Sequence, residues 1–180
     1  NTIKEFIFTG SPVINNLIVQ KANGVTFKES VTINNVNDEN YSNNLNFYGA
    51  QFKKVDENDS SNIEFKTSGT VTFGSNENST TSFEKDLTHT VGTTVINGTF
   101  SADSNNLSLS ETEINGLAKI TGNIKSSKVI ISDNGTLEIS ENIDNVNSIT
   151  VNGTLISNIG SDFTIGNKFV SDSKGTIQTI

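Results

Sequence analysis

Five glycines in the second half of the chain, Gly98, Gly116, Gly135, Gly153 and Gly175, stand 18, 19, 18 and 22 residues apart. Four follow asparagine (Asn97, Asn115, Asn134, Asn152), and four precede threonine and then an apolar residue: Thr99-Phe100, Thr136-Leu137, Thr154-Leu155 and Thr176-Ile177. A turn signal returning about every 20 residues between short apolar runs predicts the coil of a β-solenoid. One such coil cannot bury its inner face alone, so coils must stack. Asn and Gly both tolerate positive φ, the property expected to place them at the corners.

Between the corners, apolar residues alternate with polar ones, as in Leu17/Val19, Val31/Ile33, Leu45/Phe47, Val71/Phe73, Leu107/Leu109 and Leu137/Ile139. A period of two marks strands with one face inward and one in water. No apolar stripe recurs at helical spacing, so helix content is expected to be close to nil. Asn-Gly is also the strongest two-residue hairpin signal, which makes a sandwich of hairpins the competing fold. Register favours the solenoid: Val129-Ile130-Ile131 matches Ile149-Thr150-Val151 after 20 residues, and Leu137 matches Leu155 and Ile177 after 18 and 22. The expected fold is all-β, a parallel β-helix of about nine coils stacked at about 4.8 Å. Residues 1–180 then form a single segment, expected to belong to a longer solenoid whose end coils would be capped elsewhere.

Asn, Ser and Thr supply 71 of 180 residues and the apolar set 32%, too little for a thick globular core but enough for a narrow stacked interior. The net charge is −8, with 12 Lys and no Arg. Without a basic stripe or a guanidinium to pair guanine, a nucleic-acid partner is not expected. Cysteine is absent, which excludes disulfides and thiolate metal sites. No cofactor is expected.

Two stretches break the rhythm, 34–62 and 74–94, and are read as loop excursions from the coil. Rigid scaffolds place recognition on such loops. Tyr41, Tyr48, Lys53 and Lys54 lie in the first, and exposed tyrosine beside lysine is a means of anchoring a protein or glycan. The alternative is that the tyrosines cover the base of their own excursion. Asp56-Glu57-Asn58-Asp59 offers hard oxygen ligands, yet an EF-hand loop beginning at Asp56 would put Ser61 where Gly is needed and Thr67 where Glu is needed. No metal site is expected.

His89, the chain's single histidine, lies in the second excursion beside Thr88 and Thr90. No G-x-S-x-G elbow accompanies it, so nucleophilic catalysis has no visible partner. Glu138 stands between Leu137 and Ile139 and so belongs on the outer strand face as a solvated charge.

The Asn-Gly-Thr-apolar corners, the short alternating strands and the Cys-free acidic composition resemble passenger domains of classical type V autotransporters. The wording of Val129 to Ile139 and Ile149 to Ile159 is similar to rickettsial surface cell antigens, and also to Helicobacter vacuolating-toxin-like passengers. The likeness is a style of repeat and carries over no individual functional residue. It implies a right-handed parallel β-helix at the bacterial cell surface or outside the cell, with the parent chain tethered to the outer membrane by a barrel beyond this segment. It further implies a non-enzymatic adhesin that meets a host-cell surface protein or glycan. The alternatives are a structural or self-associating stalk of an autotransporter or toxin, and a glycan-degrading β-helix enzyme. Pectate-lyase-type and polygalacturonase-type β-helices depend on Arg or His with clustered Asp, and the lack of Arg counts against that enzyme reading.

Overall fold

The structure, a computed structural model, describes residues 6–10, 12–14, 17–19, 24–27, 31–33, 36–38, 44–54, 56–60, 62–75, 79–103, 106–141, 143, 145–159, 169–171 and 175–180. Every strand pairing among them is parallel. The hairpin sandwich is thereby excluded, and the fold is a β-solenoid.

Each coil visits three faces in turn. The first face stacks Phe6–Phe8, Gly24–Phe27, Asn44–Phe47 and Thr70–Phe73, and continues to Ile149–Val151 and Phe169–Ser171. The second stacks nine strands, from Val13–Ile14 through Ala50–Phe52, Thr80–Phe83, Thr99–Ala102, Leu117–Ile120, Thr136–Ile139 and Thr154–Ser157 to Thr176–Thr179. The third begins with Leu17–Val19, Val36–Asp38 and Ile63–Glu64. Thereafter the third face bends directly into the first within single strands, Leu87–Ile96, Leu107–Ile114 and Ile124–Ile131.

Register follows the alternation. On the second face Thr81, Phe100, Ala118, Leu137 and Leu155 stack in one file, at steps of 19, 18, 19 and 18 residues. Val129 meets Ile149, and Leu155 meets Ile177, as the sequence predicts. Inward residues are buried and outward ones are not: Thr136–Ile139 reads half-buried, buried, half-buried, buried. A one-residue slip would turn every inward side chain into water, so burial pins the register.

The interior changes character along the rod. Phe47, Phe52, Phe65, Phe73, Phe83 and Phe100 fill it in the earlier coils, and Ile, Leu, Val and Ala fill it from Ala102 to Leu155. Phe52 and Phe83 occupy one file on the second face, with rings stacked at 4.3 Å and 7°. Phe47 and Phe73 do the same on the first face at 5.8 Å. Full burial of one such ring stabilises by about 1.5–3 kcal/mol.

The glycine corners work for a different reason from the one expected. Among the described glycines positive φ is confined to Gly10 and Gly74. Gly116, Gly135 and Gly153 are required because the coils touch backbone to backbone. A Cβ at Gly116 would collide with the carbonyl oxygen of Gly98, and one at Gly153 with that of Gly135. The close approach lets each glycine carbonyl accept the amide that follows the next glycine: Leu117 N to Gly98 O at 3.0 Å, Thr136 N to Gly116 O at 2.8 Å, Thr154 N to Gly135 O at 2.9 Å and Thr176 N to Gly153 O at 2.8 Å. The repeated Asn-Gly-Thr is therefore a column of coil-to-coil contacts.

The two expected excursions contract. Within 34–62 the strands Val36–Asp38, Asn44–Phe47 and Ala50–Phe52 belong to the coil. Within 74–94 so do Thr80–Phe83 and most of Leu87–Ile96. Among the described residues of these stretches, the longer departures from the strands lie within 53–62 and within 74–79. Polar residues at inward positions hid the rest: Thr81, His89 and Thr94 are all buried.

Candidate interaction surface

Among the described second-to-third corners, the longest is the one after Phe52. Ten residues, 53–62, span it, where 84–86 and 121–123 suffice in later coils. Together with the longer stretch between Phe73 and Thr80, this lengthens the second-face step from Ala50 to Thr81 to 31 residues. Exposed Lys54, Asp56, Glu57, Asn58 and Ser60 cover its surface.

The excursion is built, not slack. Asp56 Oδ1 accepts the amide of Asn58 at 2.9 Å, and Asp56 O accepts that of Asp59 at 3.1 Å, which closes a local turn. Asp59 then points inward and pairs with Lys85 at 2.8 Å, the lysine side chain 2% exposed and the carboxylate 11%. At one end the Lys54 amide donates to Glu84 Oε2 at 3.1 Å. At the other, Asn62 Nδ2 donates to Thr88 Oγ1 at 3.3 Å. The next coil thus holds the excursion at both ends and through its middle.

Of the four residues singled out from the sequence, Tyr41 lies outside the described residues. Tyr48 stands just after Asn44–Phe47 and before Gly49, at the first-to-second corner where later coils carry Asn97 and Asn115. It is half-buried. Lys53 and Lys54 follow Ala50–Phe52, at the opposite corner of the same face. Three strand residues at about 3.3 Å each separate the two corners. Tyr48 and the lysines thus stand at opposite corners of one face, and the excursion begins with Lys53 and Lys54 and continues into the acidic residues after them.

The anchor Lys85–Asp59 is missing from the sequence reading. Its members are 26 residues apart in a region with no clear repeat, and no local spacing links them. The same corner carries a polar ladder: Asn106 donates to Asp86 through its backbone amide at 2.8 Å and its side chain at 3.0 Å, and Asn123 Nδ2 donates to Asn106 Oδ1 at 3.2 Å. On the glycine corner Asn115 Nδ2 donates to Asn97 Oδ1 at 3.1 Å. Stacked asparagines in register make such bonds naturally.

His89 is enclosed. Its Nε2 lies 3.1 Å from the carbonyl of Thr67, which can only accept, so Nε2 carries the proton. Nδ1 then accepts the Thr94 hydroxyl at 2.9 Å. Burial holds the imidazole below its ordinary value of 6.5, against the opposing effect of the Thr67 bond. Gly92 makes the room: a Cβ there would strike the carbonyl of Gly69 and sit 2.7 Å from His89 Nε2. The ring fills a slot between Phe65 and the Leu109 level, a packing role.

Glu138 projects outward as expected. Its carboxylate is held below the usual range first by the Asn158 side-chain bond at 3.1 Å and then by Lys119 at 3.2 Å.

Protein-family models, curated proteins and solved structures contain no match to this chain. The solenoid assignment rests on its own strand register.

Proposed function

We propose that the chain is a non-enzymatic surface segment of a bacterial passenger protein, outside the cell, in which a stiff β-helical stalk presents the 53–62 excursion to a host-cell surface protein or glycan. The observation that carries this reading is the buried Lys85–Asp59 pair, which fixes an irregular ten-residue loop onto an otherwise repetitive rod. A loop ordered before contact loses less freedom on binding than a slack one. Its mixed charges suit a polar partner. Enclosure of the chain's single imidazole supports a non-catalytic role.

The test exchanges residues 54–58 for Gly and Ser and keeps Asp59. Binding to host cells and to an immobilised glycan panel is then compared with that of the parent chain, alongside thermal unfolding. Loss of binding with an unchanged melting transition supports presentation by this loop. Undiminished binding would reject it. The second reading, an inert stalk, draws on the unbroken parallel ladder of the second face.

A further inference from the structure

We propose that Asn134 is a self-modification site, where the folded chain converts asparagine to aspartate or isoaspartate ahead of its other described Asn-Gly corners. The corners at 97–98, 115–116 and 152–153 are two residues long, whereas the one at 132–135 has four. In the short corners the asparagine amide is tied to the preceding coil: Asn97 N to Phe73 O at 2.8 Å, Asn115 N to Ile96 O at 2.7 Å and Asn152 N to Ile131 O at 2.8 Å. The glycine amides of two of them are tied likewise, Gly116 N to Ile96 O at 3.0 Å and Gly153 N to Ile131 O at 3.2 Å. Asn97 and Asn115 are also joined through their side chains.

The longer corner gives up these ties. Ser132 N takes the bond to the preceding coil, at 3.0 Å from Ile114 O, and Asp133 and Asn134 bulge outward, both exposed. Gly135 N donates only within its own turn, to Ser132 O at 2.8 Å. The Gly135 nitrogen can turn toward Asn134 Cγ once that local bond opens, whereas at 116 and 153 the glycine amide must first break a bond to the preceding coil.

The chemistry needs water alone. The Gly135 nitrogen attacks Asn134 Cγ and loses its proton. The Cγ–Nδ2 bond breaks, ammonia leaves, and a succinimide ring forms. Water then opens either ring carbonyl, giving aspartate or isoaspartate. The product adds a carboxylate beside Asp133, and a corner two residues longer than its neighbours can accept the extra backbone carbon of isoaspartate.

The experiment incubates the intact chain in mildly alkaline buffer, digests it, and follows each Asn-Gly peptide by mass spectrometry with an isoaspartate assay. A parallel sample is incubated in urea. In the folded chain Asn134 is expected to react several-fold faster than Asn97, Asn115 and Asn152, and its lead should shrink in urea. Equal rates in the folded chain would overturn the proposal. A lead just as large in urea would do so too, since it would assign the effect to the neighbouring Asp133 and not to the corner.

Discussion

The rod joins two regions built to one plan and held together differently. From Asn44 to Phe100 the interior is aromatic, corners reach six and ten residues, and charged or polar groups (Lys85, His89, Thr81) stand inside. From Leu117 to Ser157 the interior is aliphatic with small residues, and the described corners include a three-residue turn at 121–123 and Asn-Gly turns of four residues at 132–135 and two at 152–153. Identical coils stack with little invention, because each position meets its own kind one step away. A coil with insertions breaks that match, so it needs bulky rings to fill uneven space and specific polar bonds to hold its loops. The irregular region is held by rings and specific polar bonds, and the regular region by repetition.

Cutting the corresponding ion pair in each region gives the sharpest contrast. Asp59→Ala takes the carboxylate from a buried ammonium, and removal of one partner of a buried pair costs about 3–5 kcal/mol. Lys119→Ala cuts the pair to Glu138, whose members are 49% and 29% exposed, and pairs of that kind are worth about 0–1 kcal/mol. Urea unfolding of the two variants should separate them clearly. Similar losses would mean that the excursion is not pinned through Asp59.

The smaller contrast concerns the glycine column. Gly116→Ala places a methyl group against the Gly98 carbonyl and Asn97 backbone, where neither side can yield cheaply. Overpacking costs typically about 1–3 kcal/mol. The effect belongs at the upper end of that range, because backbone atoms are struck. If the requirement were one of φ, Gly116→Asn would be tolerated, since asparagine adopts positive φ readily. Steric crowding predicts that Asn is at least as harmful as Ala. Thermal unfolding of the two variants decides between these causes.

Legibility in the sequence followed the same division. Val129 to Ile131 on Ile149 to Val151, and Leu137 on Leu155 and Ile177, could be aligned from the pattern of apolar residues alone. Between 74 and 94 the pattern failed, because Thr81, His89 and Thr94 take inward places that alternation reserves for apolar side chains. Buried threonine has nearly the shape of valine; Thr81 and Thr112 go so far as to bury hydroxyls without a hydrogen-bond partner. Shape is preserved where polarity is not, and alternation of polarity alone does not mark those strands. The excursion's anchor was invisible for another reason: Lys85 and Asp59 meet through the stacking of coils, which a local spacing does not encode.

His89 turns the comparison into a dependence on pH. The folded chain disfavours imidazolium, because the ring is buried and its Nδ1 accepts from Thr94. The unfolded chain protonates it near the ordinary value of about 6.5. Below that value the unfolded state binds more protons than the folded one, so stability falls with falling pH until the lowered folded value is reached. Above it the contribution is complete. Glu138, whose carboxyl is also held low, acts in the same sense but only in the more acidic carboxylate range, and its loss belongs to the regular region. Urea unfolding between about pH 8 and about pH 5 should therefore show a decline in the parent chain through the imidazole range. His89→Leu, which continues the apolar file toward Leu109, should remove that decline while leaving the carboxylate-range loss in place. If His89→Leu kept the full slope through the imidazole range, the enclosed ring would not be what sets the pH response of the irregular half.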